Sequence, residues 1–216
     1  MHRPSLVIFD CDGVLVDSER LSHSVLKDMI GEFGVELTLD ETLEHFMGTS
    51  TEKCLEVLNT LIGEPAPEDF LHQFRNRTFD SFAKHLLPVE GAPELLATLQ
   101  VPYCVASNGP REKMRFTLGH TGLLPFVAGR LFSAQDVARP KPAPDLFLHA
   151  AASLGASAGG CVVVEDSATG VAAARAAGMV VYGFAAMGQS EKLRHAGAQV
   201  VFSSMGDLPA LLGSAR

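Results

Sequence analysis

Short, continuously apolar segments alternate along this chain with longer segments in which apolar positions recur every three to four residues. The apolar segments cover 5–10, 101–106, 130–133, 160–165, 179–184 and 199–202, and the predicted helices cover 91–99, 111–120, 144–154, 168–177 and 190–196. Continuous apolar strands that alternate with helices are typical of a parallel sheet covered on both faces. The pattern therefore predicts an α/β fold with a three-layer α/β/α arrangement.

Residues 17–87 interrupt this alternation, because they contain helical patterns and no convincing strand. Two apolar helical faces are predicted there, one from Leu55, Leu58, Leu61 and Ile62 and the other from Phe70, Phe74 and Phe82. We expect a small helical domain inserted after the first strand, with 1–16 and 88–216 forming the sheet domain. It would lie over the carboxyl ends of the strands, where ligands bind in such sheets. The alternative is that these helices only cover the sheet.

Composition favours a globular protein that acts on small molecules. The 216 residues are 47% hydrophobic and 19% charged, with a net charge of −8. This charge disfavours nucleic acid or an anionic membrane as the main partner. No apolar segment approaches the roughly 18 residues of a membrane span. The first apolar segment stops at Asp10 without a cleavage site of small residues, so it is predicted to be a strand and not a signal peptide.

The cysteines indicate a reducing compartment. The four cysteines are Cys11, Cys54, Cys104 and Cys161. Each is more than 40 residues from the next, and three of the four lie in apolar, strand-like segments. Reduced thiols in a core are therefore favoured over disulfides or a zinc site. We expect a cytoplasmic monomer.

Candidate chemistry begins with two carboxylates, Asp10 and Asp12, which directly follow the first apolar strand. Side chains two positions apart along a strand point the same way, so both can reach one site. Gly13 then allows a sharp turn. One carboxylate can attack or bind a metal while the other exchanges protons. The alternative is a strand that ends in an ordinary Asp-rich turn.

Two further segments follow strands or precede helices and suit an anion. Ser107, Asn108 and Gly109 end one strand before a predicted helix, and a hydroxyl with backbone N–H groups at a helix N-terminus can bind an anion. A plain turn with a helix cap fits the same residues. Lys141 lies between two prolines, which hold it on a stiff segment. Its ammonium group can balance carboxylates and bind a phosphoryl group.

A second pair of carboxylates, Glu165 and Asp166, follows another apolar strand. If they join Asp10 and Asp12 at one edge of the sheet, their mutual repulsion implies a hard divalent cation. Ligation by oxygen alone favours Mg²⁺. The sequence has no Gly-rich loop followed by Gly-Lys-Ser/Thr and no His-Glu-x-x-His, which argues against ATP-driven or zinc-protease chemistry.

Taken in order, these segments resemble the haloacid dehalogenase-like superfamily of phosphohydrolases. The matching motifs are Asp10-x-Asp12-Gly-x-Leu-x-Asp17-Ser, Ser107-Asn108, Lys141-Pro-x-Pro and Glu165-Asp166-Ser-x-x-Gly. The resemblance covers nearly the whole chain. It implies a Rossmann-like core with a helical cap, formed here by residues 17–87.

The resemblance also implies a role for each motif. Asp10 would be the nucleophile that forms an aspartyl-phosphate, and Asp12 would protonate the leaving oxygen and then activate water. Ser107, the backbone of Asn108 and Lys141 would hold the phosphoryl oxygens.

The metal site is implied in the same way. Mg²⁺ would bind Asp10, the main-chain carbonyl of Asp12 and Asp166, with Glu165 as a ligand or just behind the ligands. The substrate would be a small phosphorylated metabolite, because phosphoryl transfer needs placement and charge neutralisation above all.

The acid at position 12 separates this chain from dehalogenases and phosphonatases of the superfamily, which lack it. A β-phosphoglucomutase-type sugar phosphomutase remains the alternative. That enzyme has a His ten residues after the second Asp, where this chain has Ser22 followed by His23. It also has a Lys and an Arg around a cap loop that corresponds to 47–51, where this chain has neither. A phosphate-sensing protein without activity is a third hypothesis.

Within the superfamily, the segment 107–114 is similar to bacterial 6-phosphogluconate phosphatases, which implies a sugar or sugar-acid phosphate as substrate. Gly48 is a candidate substrate-loop position, because a missing side chain leaves room for a ligand. Arg75 or Arg77 can bind a substrate carboxylate or hydroxyl group from the cap. Solvated helix residues are the alternative for both arginines.

Overall fold

The computed structural model describes residues 3–47, 49 and 51–213. Its Cα positions divide the chain into two compact units. One is formed by the chain up to Val16 and from Pro88 onward, and the other by Asp17–Leu87.

The first unit is built on a parallel sheet of six strands. The strands are β1 (Leu6–Phe9), β2 (Tyr103–Ser107), β3 (Leu131–Ser133), β4 (Cys161–Glu165), β5 (Val180–Phe184) and β6 (Val200–Phe202). The order across the sheet is β3-β2-β1-β4-β5-β6, and every pairing is parallel. The chain therefore builds outward from β1 in one direction and then from β4 in the other. Such a reversal leaves a crevice at the carboxyl ends of the strands on either side of it.

Helices flank this sheet, which gives the Rossmann-like α/β fold that the sequence predicts. They are α5 (Ala92–Thr98), α6 (Arg111–His120), α7 (Leu124–Val127), α8 (Asp145–Ser153), α9 (Ala168–Ala176), α10 (Ser190–Ala196) and α11 (Leu208–Leu211). All residues of β1, β2 and β4 are buried, as expected for strands covered on both faces. The predicted strands and longer helices are confirmed to within one or two residues at each end.

The second unit is helical in the residues that the structure describes. It contains α1 (Ser18–Gly31), α2 (Leu39–Phe46), α3 (Thr51–Ile62) and α4 (Phe70–His85). The two predicted apolar faces contribute to one cluster, which contains both Leu58 and Phe70. Leu55, Leu61, Ile62 and Phe74 pack against that same cluster. Periodicity within each helix showed which side is apolar, but not that the sides pack together.

Over the described residues, no helix is both long enough and apolar enough to traverse a membrane. The four cysteines are free thiols, as the sequence predicts. Burial raises the pKa of Cys104 to about 12, so this thiol stays protonated at neutral pH.

Candidate active site

Three neighbouring strands end within two residues of the same level and place the predicted polar residues close together. Phe9 at the end of β1 is in register with Val105 of β2 and with Val164 of β4. The next residue, Asp10, donates its backbone N–H to the carbonyl of Val164 at 2.9 Å. Ser107 and Glu165 are the last residues of β2 and β4. The parallel register therefore brings three of the predicted motifs to the crevice beside β1.

The side chain of Lys141 joins these strand ends. Its Nζ atom donates hydrogen bonds to Asp10 Oδ1 at 2.8 Å, to the carbonyl of Ala106 at 2.8 Å and to Glu165 Oε1 at 2.6 Å. These acceptors account for all three N–H donors of an ammonium group. The ring centroid of the buried Phe147 lies 4.7 Å from the same nitrogen. Lys141 is thus fixed in a buried position where its single positive charge is shared by two carboxylates.

Burial and charge shift the pKa values of this cluster. Burial raises the pKa of Asp10 to about 7. The positive charge of Lys141 lowers this pKa, whereas the negative charges of Glu165 and Asp12 raise it further. For Lys141, burial alone lowers the pKa, but Asp10 and Glu165 outweigh it and raise the pKa above its usual value. Burial is therefore the main cause of the raised pKa of Asp10, whereas the two neighbouring carboxylates cause the raised pKa of Lys141.

Glu165 is fully buried and held at both carboxylate oxygens. Oε1 accepts the bond from Lys141, and Oε2 accepts the hydroxyl proton of Ser167 at 2.9 Å. Ser167 in turn caps α9, because its Oγ accepts the N–H of Gly170 at 3.0 Å. A Cβ atom on Gly170 would lie only 1.9 Å from the carboxylate carbon of Glu165. Glycine is therefore needed at the last position of the motif Glu165-Asp166-Ser-x-x-Gly, because any side chain there would overlap the carboxylate of Glu165.

Asp166 approaches the turn after β1. Gly13 has a φ of +73°, and a Cβ atom there would lie 2.0 Å from Asp166 Oδ2. Glycine is required at this position both for its backbone conformation and for this close approach. One carboxylate oxygen from each of Asp10, Glu165 and Asp166 lies within 4.8 Å of the others, and in the described part of the chain this is the group able to hold a metal ion.

Ser107 and its neighbours form the opposite side of the crevice. The Ser107 hydroxyl accepts the backbone N–H of Gly109 at 3.1 Å and keeps its own proton for donation. The N-terminus of α6 follows directly, with Arg111 as its first residue. A hydroxyl, backbone N–H groups and a helix N-terminus together suit an anion.

The side chain of Asn108 has a role that the sequence did not suggest. Its amide donates to the carbonyl of Lys141 at 3.1 Å, and its Oδ1 accepts the backbone N–H of Lys141 at 3.0 Å. This double hydrogen bond ties the loop after β2 to the segment that carries Lys141. The side chain of Asn108 therefore positions Lys141.

Asp12 lies on the Ser107 side of the site. Its Oδ2 accepts a hydrogen bond from Lys113 Nζ at 2.9 Å. Lys113 was not among the predicted site residues. The available signal was its place in the first turn of a helix, from which side chains lean back toward the N-terminus.

The predicted substrate residues belong to the segment 17–87. Gly48 is not among the residues that the structure describes. Arg75 is exposed on α4 in the helical unit. Arg77, the other candidate, forms an ion pair with Glu32 in the same unit.

Comparison with known proteins identifies the family. The model of the haloacid dehalogenase-like hydrolases matches residues 7–184. The chain is 34% identical to the 6-phosphogluconate phosphatase of Escherichia coli, over 98% of this chain and 96% of that protein.

Two solved structures agree. A conserved haloacid dehalogenase-like protein of unknown function from Agrobacterium tumefaciens has a TM-score of 0.91 and 35% identity, with 97% of this chain and 98% of that chain covered. A haloacid dehalogenase family hydrolase from Deinococcus radiodurans, solved with bound phosphate and sodium, has a TM-score of 0.88 and 33% identity, with 98% and 96% covered. The chain belongs to the haloacid dehalogenase-like hydrolases.

Proposed function

We propose that this phosphatase hydrolyses a small phosphorylated sugar or sugar acid through an aspartyl-phosphate on Asp10, with Mg²⁺ as cofactor. The observation that carries the proposal is the buried ammonium group of Lys141, shared by Asp10 and Glu165 at the strand ends. A buried carboxylate beside a fixed cation and facing an anion-binding loop suits nucleophilic attack on a phosphoryl group. The similarity to a 6-phosphogluconate phosphatase supports the substrate class.

The acidic cluster fits Mg²⁺. Asp10, Glu165 and Asp166 bring three carboxylates together, whereas Lys141 supplies one positive charge. A divalent cation would balance the remaining negative charge, and carboxylate oxygens are the donors that Mg²⁺ prefers. We assign the ion to Asp10, Asp166 and the main-chain carbonyl of Asp12. Glu165 stands behind these ligands in the proposal, because Lys141 and Ser167 engage both of its oxygens. When bound, Mg²⁺ supplies charge neutralisation for the phosphoryl group.

The proposed reaction has two steps, and in each step one bond to phosphorus forms, another breaks and Asp12 transfers one proton. In the first, a carboxylate oxygen of Asp10 bonds to phosphorus, the bond from phosphorus to the leaving oxygen breaks, and Asp12 gives its proton to that oxygen. In the second, water bonds to phosphorus while Asp12 takes a water proton, and the bond between phosphorus and Asp10 breaks. Asp12 therefore returns to its starting state after each turnover.

The phosphoryl oxygens are assigned to the loop after β2. The Ser107 hydroxyl and the backbone N–H of Asn108 would donate to them, as in other anion sites at helix N-termini. Lys141 would contribute through its positive charge, because Asp10, Ala106 and Glu165 occupy its donors.

In the same proposal, the helical unit is the cap that selects the substrate. Arg75 is the candidate for a substrate carboxylate, since it is an exposed cation of that unit. Gly48 remains a candidate loop position from the sequence. A carboxylate on the substrate would distinguish a sugar acid from a neutral sugar.

The test is phosphate release from 6-phosphogluconate, phosphoglycolate and hexose 1-phosphates, with Mg²⁺ and with EDTA. We expect release from a sugar or sugar-acid phosphate that stops in EDTA and in Asp10→Asn. The matched control is Asp207→Asn, an exposed aspartate of the same unit, which should keep full activity.

A further arm of this test adds a sugar bisphosphate primer to β-glucose 1-phosphate. Conversion to glucose 6-phosphate without net phosphate release would assign the mutase reaction instead. Full activity of Asp10→Asn would reject the covalent route.

A further inference from the structure

Lys113 of α6 forms an ion pair with Asp12, although 101 residues separate them in the sequence. The Nζ atom of Lys113 lies 2.9 Å from Asp12 Oδ2, and the two side chains are 28% and 16% exposed. Water and salt therefore screen this pair less than a pair on the open surface. The contact joins an unassigned lysine to the carboxylate that the proposed function makes the proton donor.

The fold explains how Lys113 reaches this position. It lies in the first turn of α6, where side chains lean back toward the N-terminus and so toward the loop 107–109. A positive charge in the first turn opposes the helix dipole, and the negative charge of Asp12 offsets that penalty. A Cβ atom on Gly109 would lie 3.7 Å from both Asp12 Oδ2 and Lys113 Cδ. The backbone of Gly109 therefore lies close to the ion pair.

We propose that Lys113 is a positioning residue for Asp12. By binding Oδ2, it holds the carboxylate beside the loop that carries Ser107, in the orientation from which Asp12 hands its proton to the leaving oxygen. This inference rests on the proposed function, because Lys113 can act in this way only if Asp12 transfers the proton. General acid catalysis depends on the position of the donor as much as on its acidity.

The dependence of rate on the leaving group separates this role from a structural or substrate-binding one. A good leaving group departs without a proton, whereas a poor one needs the general acid. Phenyl phosphate releases phenol, whose pKa is about 10 like that of tyrosine, and 4-nitrophenyl phosphate releases a far more acidic phenol of similar shape. The ratio of kcat/KM for the two substrates therefore reports on the acid, because kcat/KM covers the steps up to phosphorylation of the enzyme.

The experiment measures this ratio in the Mg²⁺-loaded enzyme for Lys113→Met, Lys113→Arg and Asp12→Asn. In Lys113→Met, the ratio of kcat/KM for 4-nitrophenyl phosphate to that for phenyl phosphate should rise by about tenfold or more, as a part of the ~10²- to 10⁴-fold that a correctly placed general acid contributes. In Asp12→Asn it should rise at least as much, and in Lys113→Arg it should stay close to the wild-type value. Lys192→Met, an exposed lysine on α10, is the matched control and should leave it unchanged.

The double variant gives a second measurement. Lys113→Met should change the ratio little in the Asp12→Asn background, because both substitutions remove the same proton transfer. If Lys113→Met does not fold, as judged by circular dichroism, Lys113→Gln takes its place.

Two outcomes would overturn the proposal in different ways. Equal losses of kcat/KM on both substrates in Lys113→Met, with a raised ratio in Asp12→Asn, would leave Asp12 as the acid and reduce Lys113 to a structural or binding role. An unchanged ratio in Asp12→Asn would instead show that Asp12 is not the general acid, which would contradict the proposed function of Asp12 itself.

Discussion

Gly170 lies against the carboxylate of Glu165, so replacing it with alanine should destabilise the protein even though alanine ordinarily stabilises a helix. A Cβ atom there would lie 1.9 Å from the carboxylate carbon, far inside van der Waals contact. Glu165 has no open space to move into, because it is fully buried and bonded to Lys141 and Ser167. The substitution therefore forces the carboxylate away from its partners.

The size of the effect follows from those partners. Two hydrogen bonds to a charged group are weakened, each worth about 1.5–3 kcal/mol. Alanine returns about 1 kcal/mol of helix propensity. The expected net loss is about 2–5 kcal/mol. For a chain of this length, each ~1 kcal/mol lowers the Tm by about 2–4 °C, so a fall of roughly 4–20 °C is expected.

The assay is thermal unfolding followed by circular dichroism for wild type, Gly170→Ala and Gly159→Ala. Gly159 belongs to the same unit, and a Cβ atom there meets nothing within 4 Å, so its variant should unfold at the wild-type temperature. Gly170→Ala should also lose phosphatase activity, because Lys141 loses a partner that holds it beside Asp10. A Gly170→Ala protein with wild-type Tm and activity would refute the packing described for Glu165.

Three further outcomes are expected. Lys141→Met leaves Asp10 and Glu165 buried without their shared counter-charge, so phosphate release should fall by at least ~100-fold and the Tm should drop. Near-normal turnover in this variant would contradict the claim that the charge of Lys141 is needed for activity. Among the four cysteines, only Cys54 is partly exposed, so an aromatic disulfide reagent at about pH 8 should label one thiol in the native protein and all four after unfolding; rapid labelling of four native thiols would contradict the burial. Arg75→Ala should raise KM for a sugar-acid phosphate and leave KM for 4-nitrophenyl phosphate unchanged. If the variant and the wild type have the same KM for both substrates, Arg75 is a solvated helix residue.

The strands and the position of the site could be predicted because both depend on local pattern. Continuous apolar segments define strands that are buried on both faces, and polar residues directly after them must lie at the carboxyl edge of a parallel sheet. This logic placed Asp10, Ser107 and Glu165 at neighbouring strand ends. The four-residue helices Leu124–Val127 and Leu208–Leu211 were not predicted, because they are too short to show periodicity.

The partners of each site residue could not be predicted, because they depend on contacts between distant segments. The sequence indicated that Lys141 is held on a stiff segment, but not that Asp10, Ala106 and Glu165 would engage all three of its donors. The side-chain amide of Asn108 looked like a turn former, yet it binds the backbone of Lys141.

The phosphoryl group on Asp10 is the central claim, and Asp12→Asn gives the most direct test of it. This variant should still accept a phosphoryl group from 4-nitrophenyl phosphate, whose leaving group needs little help, but should release it slowly because no base activates water. Rapid acid quenching in the presence of Mg²⁺, followed by peptide mass spectrometry, should locate one phosphoryl group on Asp10 that hydroxylamine removes. Nitrophenol release with an unmodified Asp10, or with the phosphoryl group on another residue, would contradict the account.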